Sequence, residues 1–135
     1  MITYTTQLDT LTADMLQGFF AGWPNPPSQM AHLKVLQSSY LTWVAIDTEA
    51  NKVVGFVNAI SDGIMSAYIP LLEVLPEYQG QGIGKELVTR MLESLKHLYM
   101  VDLLCDEHLQ QYYSKLGMVQ ATGMLMRNHD RQSCE

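Results

Sequence analysis

The stretch from Ile69 to Leu98 limits the fold more than any other part of the chain. A run of β-forming residues ends at Leu75, and the glycine-studded turn Gln79-Gly80-Gln81-Gly82-Ile83-Gly84 follows. From Ile83 onward Leu87, Val88, Met91, Leu92, Leu95 and Leu98 fall on one helical face, with Glu86 and Arg90 paired at i,i+4 on the other. A helix with one apolar face, reached from a strand through a short turn, buries that face on a sheet.

The rest of the chain extends this pattern. Ile2 to Thr6 predicts a strand, and Leu11, Met15, Leu16, Phe19 and Phe20 predict a helix behind Asp9 and Thr10. Gly22 to Pro27 is a proline-rich loop, and Ser28 to Gln37 predicts a second helix. Tyr40–Ile46, Lys52–Ile60 and Ile64–Leu75, separated by turn residues, read as a three-stranded antiparallel meander. Tyr99 to Cys105 predicts a buried strand, and Leu109 to Leu116 a short helix between Asp106 and Gly117. Met118 to Arg127 predicts a last strand or hairpin kinked at Gly123. The expected architecture is one mixed α/β sheet with helices packed on it, a single domain over residues 1–135.

The formal charge of −6 argues against a grip on nucleic-acid phosphates. No window approaches the ~18 uninterrupted apolar residues of a membrane helix, and the first basic residue is Lys34. The expectation is a soluble cytoplasmic protein with neither nucleic acid nor membrane as partner. Cys105 reads as core and Cys134 as a tail thiol, and the four histidines have no ligand spacing, so no metal is expected. Exposed-looking aromatics permit a homodimer.

A strand running through a glycine-rich turn into a helix suits an anion. The first helical turn leaves amide donors unpaired and carries about half a positive charge. A dinucleotide fingerprint from Gly80 would need glycine where Lys85 stands, and a P-loop ending at Lys85 would need Ser or Thr where Glu86 stands. The pattern present is Gln-x-x-Gly-x-Gly over Gln79 to Gly84, and it resembles the acyl-coenzyme A signature of the GNAT superfamily of N-acetyltransferases. Tyr112 to Met118 resembles that family's Phe-Tyr-x-Lys-Leu-Gly-Phe helix, with Tyr112 and Met118 departing from the usual phenylalanines. An asparagine that some members place before this helix is missing, with Glu107 and His108 in its region.

The resemblance implies an α/β fold with one mixed, mostly antiparallel central sheet of about six to seven strands flanked by about four helices. It also implies transfer of an acetyl group from acetyl-coenzyme A to a primary amine of a small molecule or peptide by direct attack in a ternary complex, with a non-catalytic coenzyme A-binding sensor or interaction module of the same fold as the rival. Cofactor contacts would then lie at Leu72, Val74, Gln79, Gly80, Gln81, Gly82, Ile83, Gly84, Lys85 and Tyr113. The Val74 amide would stabilise the oxyanion, and Tyr113 would donate to the departing thiolate. Glu73, the sole charge between Ile69 and Leu75, would orient a cationic acceptor, or else lies on a solvated face. A carboxylate near pKa 4.3 sits about six units below an ammonium near 10.4, so direct deprotonation is disfavoured. Lys85 is either a phosphate partner or a plain surface residue. Trp23, Tyr40, Trp43 and Tyr68 either line an acceptor pocket or pack in the core.

Overall fold

The computed structural model describes residues 1–135. Its strands are β1 (Ile2–Thr5), β2 (Leu41–Asp47), β3 (Lys52–Ser61), β4 (Ser66–Val74) and β5 (Met100–Asp102), and its helices α1 (Gln29–Ser38), α2 (Ile83–Ser94) and α3 (Gln110–Ser114). One sheet runs in the order β1-β2-β3-β4-β5, antiparallel except for the parallel β4–β5 pair. The meander follows from Asp47 and Asp62, whose carboxylates cap the amides of the two turns at Glu49–Ala50 and Ile64–Ser66. No helix is long and apolar enough to cross a membrane.

Strand β3 is buried from Val53 to Ala59 because both of its faces are covered. On one face lies α2. A Cβ on Gly55 would meet Leu87 Cδ1 at 3.0 Å and Ile83 Cγ2 at 3.2 Å, so glycine there lets the helix approach the strand. On the other face Phe56 meets the rings of Phe19 and His32 at centroid distances of 5.2 and 4.5 Å. Ser28 caps α1 by accepting from the Ala31 amide.

Three expectations need correction. The helix proposed for Leu11 to Phe20 is a single 3-10 turn over Ala13–Leu16, because Gly18 and Phe20 adopt φ of +96° and +60°. Its apolar residues are still core, which is why they mimicked a helical stripe. The strand over Tyr99–Cys105 shortens to Met100–Asp102, and Cys105 is half-buried rather than core. Met118 to Arg127 forms no strand, since no neighbour supplies its ladder bonds. The sheet therefore has five strands with three helices, not six to seven with four.

The His32 cluster makes stability pH-dependent. The ring is 1% exposed, Nε2 has no hydrogen-bond partner, and burial pushes its pKa down from 6.5 to about 4. Between those values the unfolded chain binds a proton that the native ring refuses, so stability falls as pH drops from 6.5 towards 4 and loses nothing more from this group below that. The expected loss between pH 7 and pH 4 is about 3 kcal/mol. Urea unfolding of the wild type and of His32→Leu at both pH values measures it. Equal pH dependence in the two proteins would refute the assignment.

Candidate active site

The site is a splay between two parallel strands. Residues Ser66 to Tyr68 of β4 pair with β5, and from Ile69 to Val74 that side of β4 has no neighbour. The Leu75 N–H donates to the Val54 carbonyl at 2.9 Å, and Gly55, Phe56 and Val57 stand opposite Val74, Glu73 and Leu72. Because backbone groups alternate sides in an antiparallel ladder, Leu72 and Val74 turn both N–H and C=O to the open side. The Val74 carbonyl accepts from the Gln79 side-chain amide at 3.0 Å, which fixes the end of the strand to the turn that follows.

At this open end α2 begins. Gly80 and Gly82 adopt φ of +80° and +85°, a region costly to residues with a Cβ. No side chain caps the helix, and the first bond of its ladder runs from the Glu86 N–H to the Gly82 carbonyl at 3.0 Å. The six successive N–H groups of Gly80 to Lys85 thus have no acceptor within the chain. They form a partly positive row of donors at a helix start, of the kind that holds a phosphate. A Cβ on Gly84 would lie 3.6 Å from Val74 Cγ2, so the array adjoins the free amide of Val74. The turn is held from outside by the Tyr78 hydroxyl, which donates to Asp47 at 2.7 Å, and by the Lys52–Glu77 ion pair at 3.6 Å.

Beside β4 a hollow of about 320 Å³ is lined by Ala21, Trp23, Phe56, Leu72, Glu73 and Gln79, among others. Glu73 is not free in it. One carboxylate oxygen accepts from the Phe20 N–H at 2.8 Å and the other from the Ala21 N–H at 3.2 Å. These two hydrogen bonds tie the loop carrying Trp23 to the strand. This latch was not visible in sequence, because its partners are backbone groups of Phe20 and Ala21; the only signal was a lone charge in an apolar strand. Trp23 does line the hollow, whereas Trp43 packs against α2, its Nε1 donating to Ser94 Oγ and its ring under Arg90. Tyr40 covers Gly63, and Tyr68 lies where β4 still pairs with β5.

Tyr113 lines a second hollow of about 110 Å³ with Leu103, Cys105, Gln110, Ser114 and Met118. Burial, with Tyr112 and Cys105 beside it, pushes its hydroxyl up to about 12. The phenol is therefore protonated throughout the physiological range. Lys85 is exposed at the helix start, and no group of three or more His, Cys, Asp or Glu side chains is placed to hold a metal ion.

Residues 8–118 match the Acetyltransferase (GNAT) family, and the chain belongs to that family. A crystal structure of a protein from Deinococcus radiodurans R1 superposes with TM-score 0.94 at 42% identity, covering 98% of this chain and 92% of that one. A GNAT-family acetyltransferase from Streptococcus pneumoniae TIGR4 gives TM-score 0.75 at 32% identity, covering 95% of this chain and 98% of that one. An uncharacterized N-acetyltransferase of Pyropia yezoensis is 28% identical over 101 residues, which are 73% of this chain and 58% of that protein. The chain spans 56 to 58% of the length of the first three curated relatives it matches.

Proposed function

We propose that the chain transfers an acetyl group from acetyl-coenzyme A to a primary amine of a small molecule or peptide. The observation that carries this reading is the unbroken row of six unpaired amides, Gly80 to Lys85, next to a strand whose Leu72 and Val74 backbone groups face an open splay. The row would hold the diphosphate, and the exposed backbone of Leu72 would bond a pantetheine amide as a neighbouring strand does. The Val74 N–H then meets the thioester oxygen as it gains charge.

The hollow bounded by Trp23, Phe56 and Glu73 takes the acceptor. A carboxylate fixed by two amides and an aromatic wall favour a cationic amine there. Glu73 holds the loop and orients the cationic acceptor, which loses one proton to solvent and attacks as the free amine. The C–N bond forms, the C–S bond breaks, the second amine proton is lost to water, and the thiolate leaves as free coenzyme A. Tyr113 donates a hydrogen bond to the departing sulfur. With its pKa near 12, full transfer to a thiolate near 8.5 would be uphill by about 5 kcal/mol, so the phenol keeps its proton.

The test is release of free thiol from acetyl-coenzyme A across polyamines, amino acids, aminoglycosides and peptides. Binding of acetyl-coenzyme A without thiol release for any amine would leave a sensor and remove the enzyme. In Tyr113→Phe, turnover is expected to fall by about 10- to 100-fold, at the low end for a group that only donates a hydrogen bond. The wild type should show no alkaline limb from this group below pH 10. Wild-type turnover in the variant would take Tyr113 out of the reaction.

A further inference from the structure

His32 is the one ionisable side chain among the buried residues. Its imidazole is wedged between the rings of Phe19, Phe20 and Phe56, at centroid distances of 5.4, 4.8 and 4.5 Å. Nε2 has no hydrogen-bond partner within the chain. A buried polar group without a partner is costly enough that folded chains rarely leave one. Burial keeps the ring neutral at pH 7, with its pKa pushed down to about 4, so it carries one N–H to donate.

The same imidazole is a wall of a hollow of about 200 Å³ between the 3-10 turn and the start of α1, with Leu16, Phe19, Pro26, Pro27, Ser28 and Gln29 among the other walls. His32 stands four residues after the Ser28 cap. Helical side chains lean back toward the helix N-terminus, so its ring is directed at the turn made by Ser28 and Gln29. Donors are free at that turn. Ser28 Oγ takes the Ala31 N–H and the Ser28 carbonyl takes the His32 N–H, whereas the N–H groups of Gln29 and Met30 have no acceptor within the chain. The Ser28 hydroxyl still has its proton to donate.

We propose that this hollow binds a small monocarboxylate. The Gln29 and Met30 amides, the Ser28 hydroxyl and the His32 N–H converge on its oxygens, and its short hydrocarbon chain lies against Leu16, Phe19, Pro26 and Pro27. No charged side chain lines the hollow, so nothing repels an anion and nothing balances more than a single negative charge. Phosphate would bring more charge and turn polar oxygens against the apolar walls, which favours the carboxylate. The inference stands apart from the proposed activity, because this hollow and the one beside Glu73 share no lining residue. Phe20 links the two: it walls this hollow while its amide is held by Glu73.

Nuclear magnetic resonance titration of the isotope-labelled full chain with butyrate, at pH 7 and at ionic strength held constant with chloride, tests the site. The Gln29 and Met30 amides and the His32 ring nitrogens should shift together and saturate with a dissociation constant of about 1 mM. Acetate, shorter by two methylenes, should bind about 10-fold more weakly. His32→Leu should weaken butyrate binding by about 10-fold or more, and so should Gln29→Pro, which deletes one amide at the first helical position, where proline is well accepted. Ser28 is already extended, as a residue before proline must be. Gln29→Ala keeps the amide and should bind within about threefold of wild type. Shifts that never saturate overturn the proposal, as does phosphate binding as tightly as butyrate, or wild-type affinity in a folded His32→Leu chain. If that variant fails to fold, the contrast between Gln29→Pro and Gln29→Ala decides, and equal affinity in those two overturns the proposal.

Discussion

Val74→Pro lowers kcat by about 100- to 1000-fold, the range observed for loss of one oxyanion donor, while coenzyme A affinity stays within a few-fold of wild type. Proline deletes the N–H and leaves the carbonyl that Gln79 holds. The sheet tolerates the change because this N–H points to the open side, whereas the neighbouring Leu75 N–H makes the bond to Val54. Glu73, the residue before it, is already extended, as a residue preceding proline must be. Val74→Ala keeps the amide and serves as the control, with turnover close to wild type. Steady-state kinetics of both variants, with a separate titration of coenzyme A, separates a lost donor from a blocked cleft. Turnover in the proline variant within a few-fold of wild type, at unchanged affinity, would show that the donor lies elsewhere.

The two halves of the site differed in how far the sequence disclosed them. The amide row could be anticipated from Gly80, Gly82 and Gly84 between a strand and a one-sided helix, because only backbone geometry is needed and glycine marks it. The Val74 amide was named from family likeness. Its free side became a physical statement only when the register of β3 and β4 was known, since a shift of one residue would turn Val74 towards its partner strand.

Glu73 shows the opposite limit. Its isolation in an apolar strand marked it, but its partners are the amides of Phe20 and Ala21, more than fifty positions away, in a loop whose apolar residues imitated a helix. A backbone amide carries no residue signature, so periodicity could not disclose the latch. The terminal segment failed for a different reason. Val119 to Arg127 offers only Val119 and Thr122 as β-formers, and a strand exists only where a neighbour completes its ladder, which the local sequence does not disclose.

Replacing both Gly80 and Gly82 by valine should raise the dissociation constant for coenzyme A by about 30- to 1000-fold. Both residues sit at φ near +80°, where a side-chain-bearing residue costs roughly 1–2 kcal/mol each, so the pair loses about 2–4 kcal/mol of the binding energy. A free chain that relaxes this strain must restore the turn to bind, and that cost enters the dissociation constant. A Cβ at either position meets nothing within 4 Å in the protein, so the fold has room for the side chains. Gly117→Val, also at positive φ and with no atom within 4 Å of its added Cβ, imposes comparable strain outside the row and should leave coenzyme A affinity within about threefold. Pantetheine lacks the diphosphate, so its binding should be unchanged in the double variant. Calorimetric titration of both ligands reads the difference: an equal loss for pantetheine would mean that the whole cleft had collapsed, and undiminished coenzyme A affinity would mean that the amides of Gly80 to Lys85 do not hold the diphosphate.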